Sequence, residues 1–449
     1  MMLYFHLLFC PFNGYAGLLQ LYFYCQGLIE LDSLLMLGII LITGYLGGEL
    51  AKKFNLPSLT GYIITGLILG PSLLDVISSP LLQTLQPIND FALGLIGLSI
   101  GGELKYRFLQ KNWEKFNLIF LGESLLSFFL VFLLIYFVSG SLPLALMLGI
   151  LSLATTPTSI LGVIKERDTR GEFPRILMSI GALDNFFCVL GFSIITTKLN
   201  IFYYEEVSTA DFLGYLGREV LLGIILGLFL GSCTILVIER IEEKRKIQVL
   251  LITIILFAIG MPRQFDISFL IVTLLIGALV VNLTVDYRKF YQTLQAIDTP
   301  ILIIFLTMAG ARFQLDILPA VSILAAIYIT ARLTGKIIGA RLGMLSCLLL
   351  PSGCQKISPL HSKYVGMALT PQAGVAIGLA ILAEQKLPLQ EGVISTLILG
   401  SIIFFELVGP LLVNRALVKT GSIKSRNSIP STNANSDKDV TTDKDAKTS

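Results

Sequence analysis

The sequence predicts an all-α polytopic membrane protein of about thirteen transmembrane helices, arranged as two halves of opposite orientation. Three observations carry that prediction. Of the 449 residues, 54% are hydrophobic and only 14% charged, and the mean hydropathy is +0.81. A water-soluble chain cannot hide that much apolar surface. The apolar residues come in blocks of roughly 20, the length of helix that crosses a hydrocarbon core while satisfying its own backbone. Finally, two features of the first half recur in the second at an odd helix offset.

Cut at polar and proline-rich breaks, the blocks are 33–53, 58–78, 89–104, 115–139, 141–164, 174–197, 212–238, 246–260, 264–283, 295–312, 315–343, 363–385 and 389–419. Residues 1–32 are apolar but interrupted by Pro11, Asn13 and Gly14, and no basic leader precedes them. They read either as an extra or interfacial segment or as a stretch upstream of a true start near Met36. At the other end, residues 421–449 are dominated by Ser, Thr, Asn, Asp and Lys, too polar for a core, and are expected to form a disordered tail.

Charge sets the direction. Loops and span ends after odd-numbered spans carry nineteen Lys and Arg residues, whereas those after even-numbered spans carry four: Lys198, Arg263, Arg312 and Lys386. Short cytoplasmic loops retain basic residues, so the odd loops and the C-terminus are predicted to be cytoplasmic. One miscounted span in the middle would erase the asymmetry.

Span 3 ends in Leu98-Ser-Ile-Gly-Gly-Glu-Leu104 and span 10 in Leu306-Thr-Met-Ala-Gly-Ala-Arg312; span 5 holds Thr156-Pro157 and span 12 holds Thr370-Pro371. Both matches pair span n with span n+7. An odd offset reverses direction across the membrane, which is the inverted repeat of a secondary transporter. Pro157 and Pro371 each remove a backbone donor and clash with the preceding turn, so each helix should break there. Free backbone at that depth is tolerable only around a polar cavity, where half-helix ends face an ion. A packed proline kink is the alternative for either site alone; two at repeat-related positions favour broken, crossing helices.

Ionisable residues inside apolar spans are the functional candidates, because a charge at the bilayer centre costs roughly 2.5–3.5 kcal/mol on insertion scales. Asp184 lies mid-span 6, followed by Asn185; Lys336 lies in span 11, one turn beyond Arg332; Glu123 is central in span 4, and Glu406 precedes Gly409-Pro410 in span 13. Asp184 reads as a carboxylate that alternately holds a proton and a cation, or as half of a fixed ion pair with Lys336. Lys336 reads as a coupling charge, or as a side chain snorkelling to the span end. Glu123 is either a second ion ligand or a protonated packing residue, and the second reading is favoured. Gly223, Gly227 and Gly231, and likewise Gly335, Gly339 and Gly343, mark close helix packing.

Other chemistries are disfavoured. Six scattered cysteines form no CxxC pair, and Cys347, Cys354 and His361 are too irregularly spaced for a strong metal set. With no P-loop, zinc-binding helix signature or nucleophile elbow, the chain is expected to be neither an enzyme nor a cofactor carrier. One Trp, two His and a net charge of +3 leave no nucleic-acid surface.

Several stretches resemble the monovalent cation:proton antiporters, in particular the branch of sodium/proton exchangers and potassium efflux systems. The run Leu56-Pro-Ser-Leu-Thr-Gly-Tyr-Ile-Ile-Thr-Gly-Leu-Ile-Leu-Gly-Pro71 is the most specific; Gly94 to Glu103, Ala182-Leu-Asp-Asn185, Gly335-Lys336 and Glu406-Leu-Val-Gly-Pro410 follow in the family's order. The resemblance covers about residues 34–420. It implies an inverted-repeat antiporter fold with two crossing broken helices. Within a membrane domain over 33–420, it implies a dimerisation part (33–104 and 246–312), a transport part (115–197 and 315–419) and a linker helix (212–238). It further implies Thr155, Thr156 and Thr370 as neutral ion ligands at the crossing, Lys336 paired with Asp184, a homodimer, and residence in the cell's inner membrane. The chain departs from the pattern where the second acidic position is Asn185, and where Pro371-Gln372-Ala373-Gly374 stands for the Arg-Gly-Glu of many relatives. An asparagine offers a carbonyl to a cation but takes up no proton near neutral pH.

The expected function is alternating-access exchange of sodium or potassium for protons. Two alternatives follow from Asn185: a non-exchanging sensor on the same scaffold, or transport of a different solute such as an organic anion.

Overall fold

The computed structural model describes residues 32–422, apart from Asn55, 107–109, 111–112, Arg170, 205–208, Glu242, Asp266, Asp286, 350–358, Ala373 and 388–391. The expectations for residues 1–31 and for the tail beyond Ser422 lie outside the described residues. All regular structure among the described residues is helical: α1 (Ser33–Lys53), α2 (Ser58–Leu69), α3 (Ser79–Thr84), α4 (Gln86–Glu103), α5 (Trp113–Ser139), α6 (Leu142–Leu151), α7 (Pro157–Glu166), α8 (Glu172–Tyr204), α9 (Thr209–Ile238), α10 (Lys244–Arg263), α11 (Phe269–Leu283), α12 (Tyr287–Ala311), α13 (Leu318–Leu349), α14 (Pro359–Ala368), α15 (Gly374–Lys386) and α16 (Val393–Lys419).

Every predicted span meets a helix, and the two proline spans each meet a pair, α6/α7 and α14/α15. Among the described residues eight helices are long and apolar enough by themselves to cross a membrane, and α2, α6 and α11 are shorter apolar helices. The second span is shorter than expected. Its helix stops at Leu69 because Gly70 lies against the backbone of Ala311 and Pro71 follows, and the chain then turns through Asp75, which has a positive φ of 50°, into α3. Conversely, α12 begins at Tyr287 rather than 295 and carries Pro300 inside without a break. Large apolar side chains such as Leu46, Phe137, Leu236 and Leu411 are exposed, as they are on helices that face lipid.

The helices pack in two groups. In one, α4 lies on α11, α2 on α12 and α1, and α10 joins α11 and α12; in the other, α5 lies on α13, α13 on α14 and α16, and α6 on α5 and α8. Helix α9 rests on α10 and α11. The inverted repeat appears in these contacts. The span-3/span-9 pair, α4 with α11, and the span-10/span-2 pair, α12 with α2, are related by the same offset of seven. Each uses glycine to bring backbones together: Gly101 sits against Leu274 and Ala278, and Gly66 against Thr307 and Ala311. Spans 4 and 11 are each other's repeat partners, and as α5 and α13 they pack against each other at the centre of the second group.

Candidate functional site

The two broken spans meet at their interruptions. Helix α6 stops at Leu151 and α7 restarts with Pro157 in its first turn, where a missing N–H leaves no bond unmade. On the other strand of the crossing, α14 stops at Ala368 and α15 restarts at Gly374. The connectors touch directly: the Thr156 N–H donates to Pro371 O at 3.0 Å, and Thr155 Oγ1 lies 3.3 Å from Leu369 O. Such a break leaves carbonyls without intrahelical partners, and each must find a donor.

Helix α13 and one glutamine supply those donors. Arg332 donates from Nε to Ser152 O at 2.9 Å, from Nη2 to Ala154 O at 2.7 Å and from Nη1 to Thr370 O at 2.6 Å, so one guanidinium ties both interruptions together. Its planar face lies over the Phe405 ring, 4.4 Å from the centroid. Gln372 Nε2 donates to Leu151 O at 2.8 Å. The two helix C-termini each carry roughly −0.5 of an elementary charge, which together offset the charge on Arg332.

Lys336 lies four residues further along α13, on the same face. Its Nζ donates to Asp184 Oδ2 at 2.6 Å, to Thr155 Oγ1 at 3.0 Å and to Leu153 O at 3.1 Å, and forms an ion pair with Glu123 Oε2 at 2.8 Å. Asp184 projects from the middle of α8. Its Oδ2 also accepts from Thr155 Oγ1 at 2.6 Å, and its Oδ1 lies 3.1 Å from Ser124 Oγ, which is 3.3 Å from Glu123 Oε1. Glu123, Asp184, Asn185, Arg332 and Lys336 are all 0% exposed, so these charges have only one another and the freed backbone as partners.

Glycines make the approach of α5 to α13 possible. A Cβ on Gly339 would strike the backbone of Gly122 and Glu123, and one on Gly335 would strike the backbone of Ser127. Without side chains there, α5 comes close enough to deliver Glu123 to the lysine. The glycine row of span 11 therefore sets the geometry of the site as well as the packing.

The predicted residues fall into three sets. Asp184, Lys336, Thr155 and Glu123 converge, with Glu123 Oε2 2.8 Å from the Lys336 ammonium. Asn185 is one step away: its Oδ1 accepts from the Thr155 N–H at 3.1 Å, while its Nδ2 is buried with no partner among the described residues. Thr156 contributes its backbone N–H to the crossing, and Thr370 Oγ1 turns back to Met367 O at 2.9 Å, leaving its carbonyl for Arg332. Pro157 and Pro371 sit at the two breaks as expected, and Gly409 packs against Pro371. Glu406 is buried and accepts from Ser159 Oγ at 3.1 Å. Of the irregular Cys/His set, Cys354 and the Cys347 side chain lie outside the described residues, and the His361 ring stacks near Phe173 with centroids 5.1 Å apart. Sequence reasoning passed over Arg332 as a site residue, although its spacing of four from Lys336 in an apolar span was the signal. Ser124 and Gln372 gave no comparable sign.

Two cavities lie at opposite ends of α4, both between the two helix groups. One, about 470 Å³, is lined by Glu103, Lys105, Ile164, Arg175 and Ser179; the other, about 450 Å³, is lined by Gln86, Arg312, Gln314, Glu384 and Gly392.

The sequence profile described as "Sodium/hydrogen exchanger, transmembrane" matches residues 37–419. Among solved structures, the chain is similar to the sodium proton antiporter MjNhaP1 from Methanocaldococcus jannaschii at pH 8, with a TM-score of 0.71, 17% identity, and coverage of 86% of this chain and 98% of that one. An electron-microscopy map of the same antiporter gives a TM-score of 0.65 and 16% identity over 89% and 99% of the two chains. At these identities the likeness establishes the fold. No curated protein sequence matches the chain.

Proposed function

The chain belongs to the sodium/hydrogen exchanger family and is a cation/proton antiporter, and from that premise we propose that it exchanges sodium or potassium for protons at Asp184 by alternating access. The observation that carries this reading is the position of one carboxylate where two broken helices cross, held by a lysine ammonium with both groups 0% exposed. An ammonium in that position is a stand-in for a cargo cation: both bring one positive charge to Asp184 Oδ2 and the Thr155 hydroxyl. A cation, a proton and Lys336 then compete for one anionic centre, which is what couples cation flow to proton flow. Thr155 Oγ1, Ser124 Oγ and the Asn185 carbonyl are the neutral oxygens available around that centre.

The cavities at the two ends of α4 support a rigid-body cycle. In that cycle the group α5–α8 with α13–α16 is the transport part, moving against α1–α4 with α10–α12 as the dimerisation part of a homodimer, and α9 links them. The lysine- and arginine-rich loops favour a cytoplasmic C-terminus, and membership of the exchanger family favours residence in the cell's inner membrane.

The test is exchange in proteoliposomes. A sodium or potassium gradient imposed on the purified protein should drive opposite proton movement, reported by a lumenal pH dye, and Asp184→Asn should abolish it. A wild-type protein that folds and dimerises yet moves no protons in response to any cation tried, at any pH, would favour a sensor built on this scaffold.

A further inference from the structure

When a cargo cation takes Asp184, the Lys336 ammonium must find another anion or shed its proton, because a buried charge without a partner is strongly disfavoured. The structure holds that anion in place. Glu123 Oε2 is 2.8 Å from Lys336 Nζ, and among the described residues it has no other partner. Transfer of the ammonium from Asp184 Oδ2, at 2.6 Å, therefore needs only rotation about the last bonds of the lysine side chain. The glycine contacts between α5 and α13 fix Glu123 at that distance, and Ser124 Oγ lies between the two carboxylates. The charged groups facing Glu123 are Asp184 from α8 and Lys336 and Arg332 from α13. Arg332 does not compete, since its guanidinium is committed to Ser152, Ala154 and Thr370 carbonyls.

We infer that Glu123 is the second berth of the Lys336 ammonium, which passes to it and keeps its charge whenever a monovalent cation occupies Asp184. This rests on the exchanger reading above and specifies how the site works without a second acid at position 185. That acid comes from α5 instead. The charge balance follows. Without a cation, two carboxylates are balanced by the ammonium and one further proton; with a cation, the cation replaces that proton. One proton leaves for each cation that enters, and the chamber is neutral in both states.

Removing Glu123 changes the chemistry in a particular way. In Glu123→Gln the ammonium has no second berth and must lose its proton before a cation can bind. Cation binding should then fall at least about tenfold at neutral pH. In Glu123→Gln/Lys336→Gln the stranded ammonium is gone, so binding should return at neutral pH; Glu123→Asp should keep binding with the wild-type pH profile. The measurement is calorimetric titration of the purified full chain with sodium chloride and with potassium chloride from about pH 6 to about pH 9, with gel filtration of each variant. A Glu123→Gln profile equal to wild type overturns the inference, as does a double variant that binds no better than Glu123→Gln or that fails to fold. A Glu123→Gln variant that fails to fold also overturns it, because Asp184 still holds the ammonium in the cation-free protein and the inference puts the defect in cation binding alone. A wild-type protein that neither binds nor exchanges either cation would remove the exchanger reading instead.

Discussion

Replacing Arg332 by lysine tests whether one guanidinium holds the helix crossing together. The arginine makes three bonds of 2.6–2.9 Å to carbonyls on two different interrupted spans. Each hydrogen bond from a charged donor contributes about 1.5–3 kcal/mol. A lysine keeps the charge but presents one compact nitrogen on a differently shaped stem, and cannot span Ser152, Ala154 and Thr370 as the planar fork does. Keeping one bond and losing two predicts a loss of about 3–6 kcal/mol, reduced somewhat by local relaxation. The packing of the guanidinium over Phe405 would also be lost. The assay is thermal unfolding of the detergent-purified protein followed by circular dichroism, where Arg332→Lys should melt about 3–6 °C below wild type. A melting temperature within about 1 °C of wild type would refute the reasoning, because it would mean that the freed carbonyls have other partners.

Gly339→Ala should lose about 1–2 kcal/mol, the overpacking of a Cβ against Gly122 and Glu123 exceeding the helix propensity that alanine gains; chemical denaturation compares it with wild type. Gly38→Ala, on α1 with nothing within 4 Å of the added carbon, should instead be neutral or stabilising by up to about 1 kcal/mol in the same measurement. Asn185→Leu should destabilise by about 1–3 kcal/mol because the Thr155 N–H loses its acceptor, whereas Asn185→Asp keeps an acceptor and should unfold much closer to wild type.

The architecture was legible because lipid imposes a strict length and polarity on each helix. Block lengths located the helices, and the recurrence of Thr-Pro at residues 156–157 and 370–371 located both breaks. The end of the second span was legible only in part: Gly70-Pro71 is a local stop signal that the apolar block to residue 78 outweighed, while the close approach of Gly70 to Ala311 on another helix had no local sign. The site was readable where a buried charge had to be explained, as for Asp184 and Lys336. Glu123 was visible but could not be assigned a partner, since its distance to Lys336 depends on how closely two glycine-bearing helices approach. Arg332 was visible too, yet its partners are backbone carbonyls, whose availability depends on where the helices break. The hydroxyls of Thr156 and Thr370 illustrate the same limit, because residue type alone does not distinguish a side-chain ligand from a backbone one.

On the proposed exchange mechanism, a cargo cation competes with protons for the chamber around Asp184. Proton release on cation addition to unbuffered purified protein measures that competition directly. Adding sodium or potassium to the wild-type chain should acidify the solution in proportion to the protein present, and Asp184→Asn should release nothing. No release from wild type with either cation, or equal release from Asp184→Asn, would contradict the account.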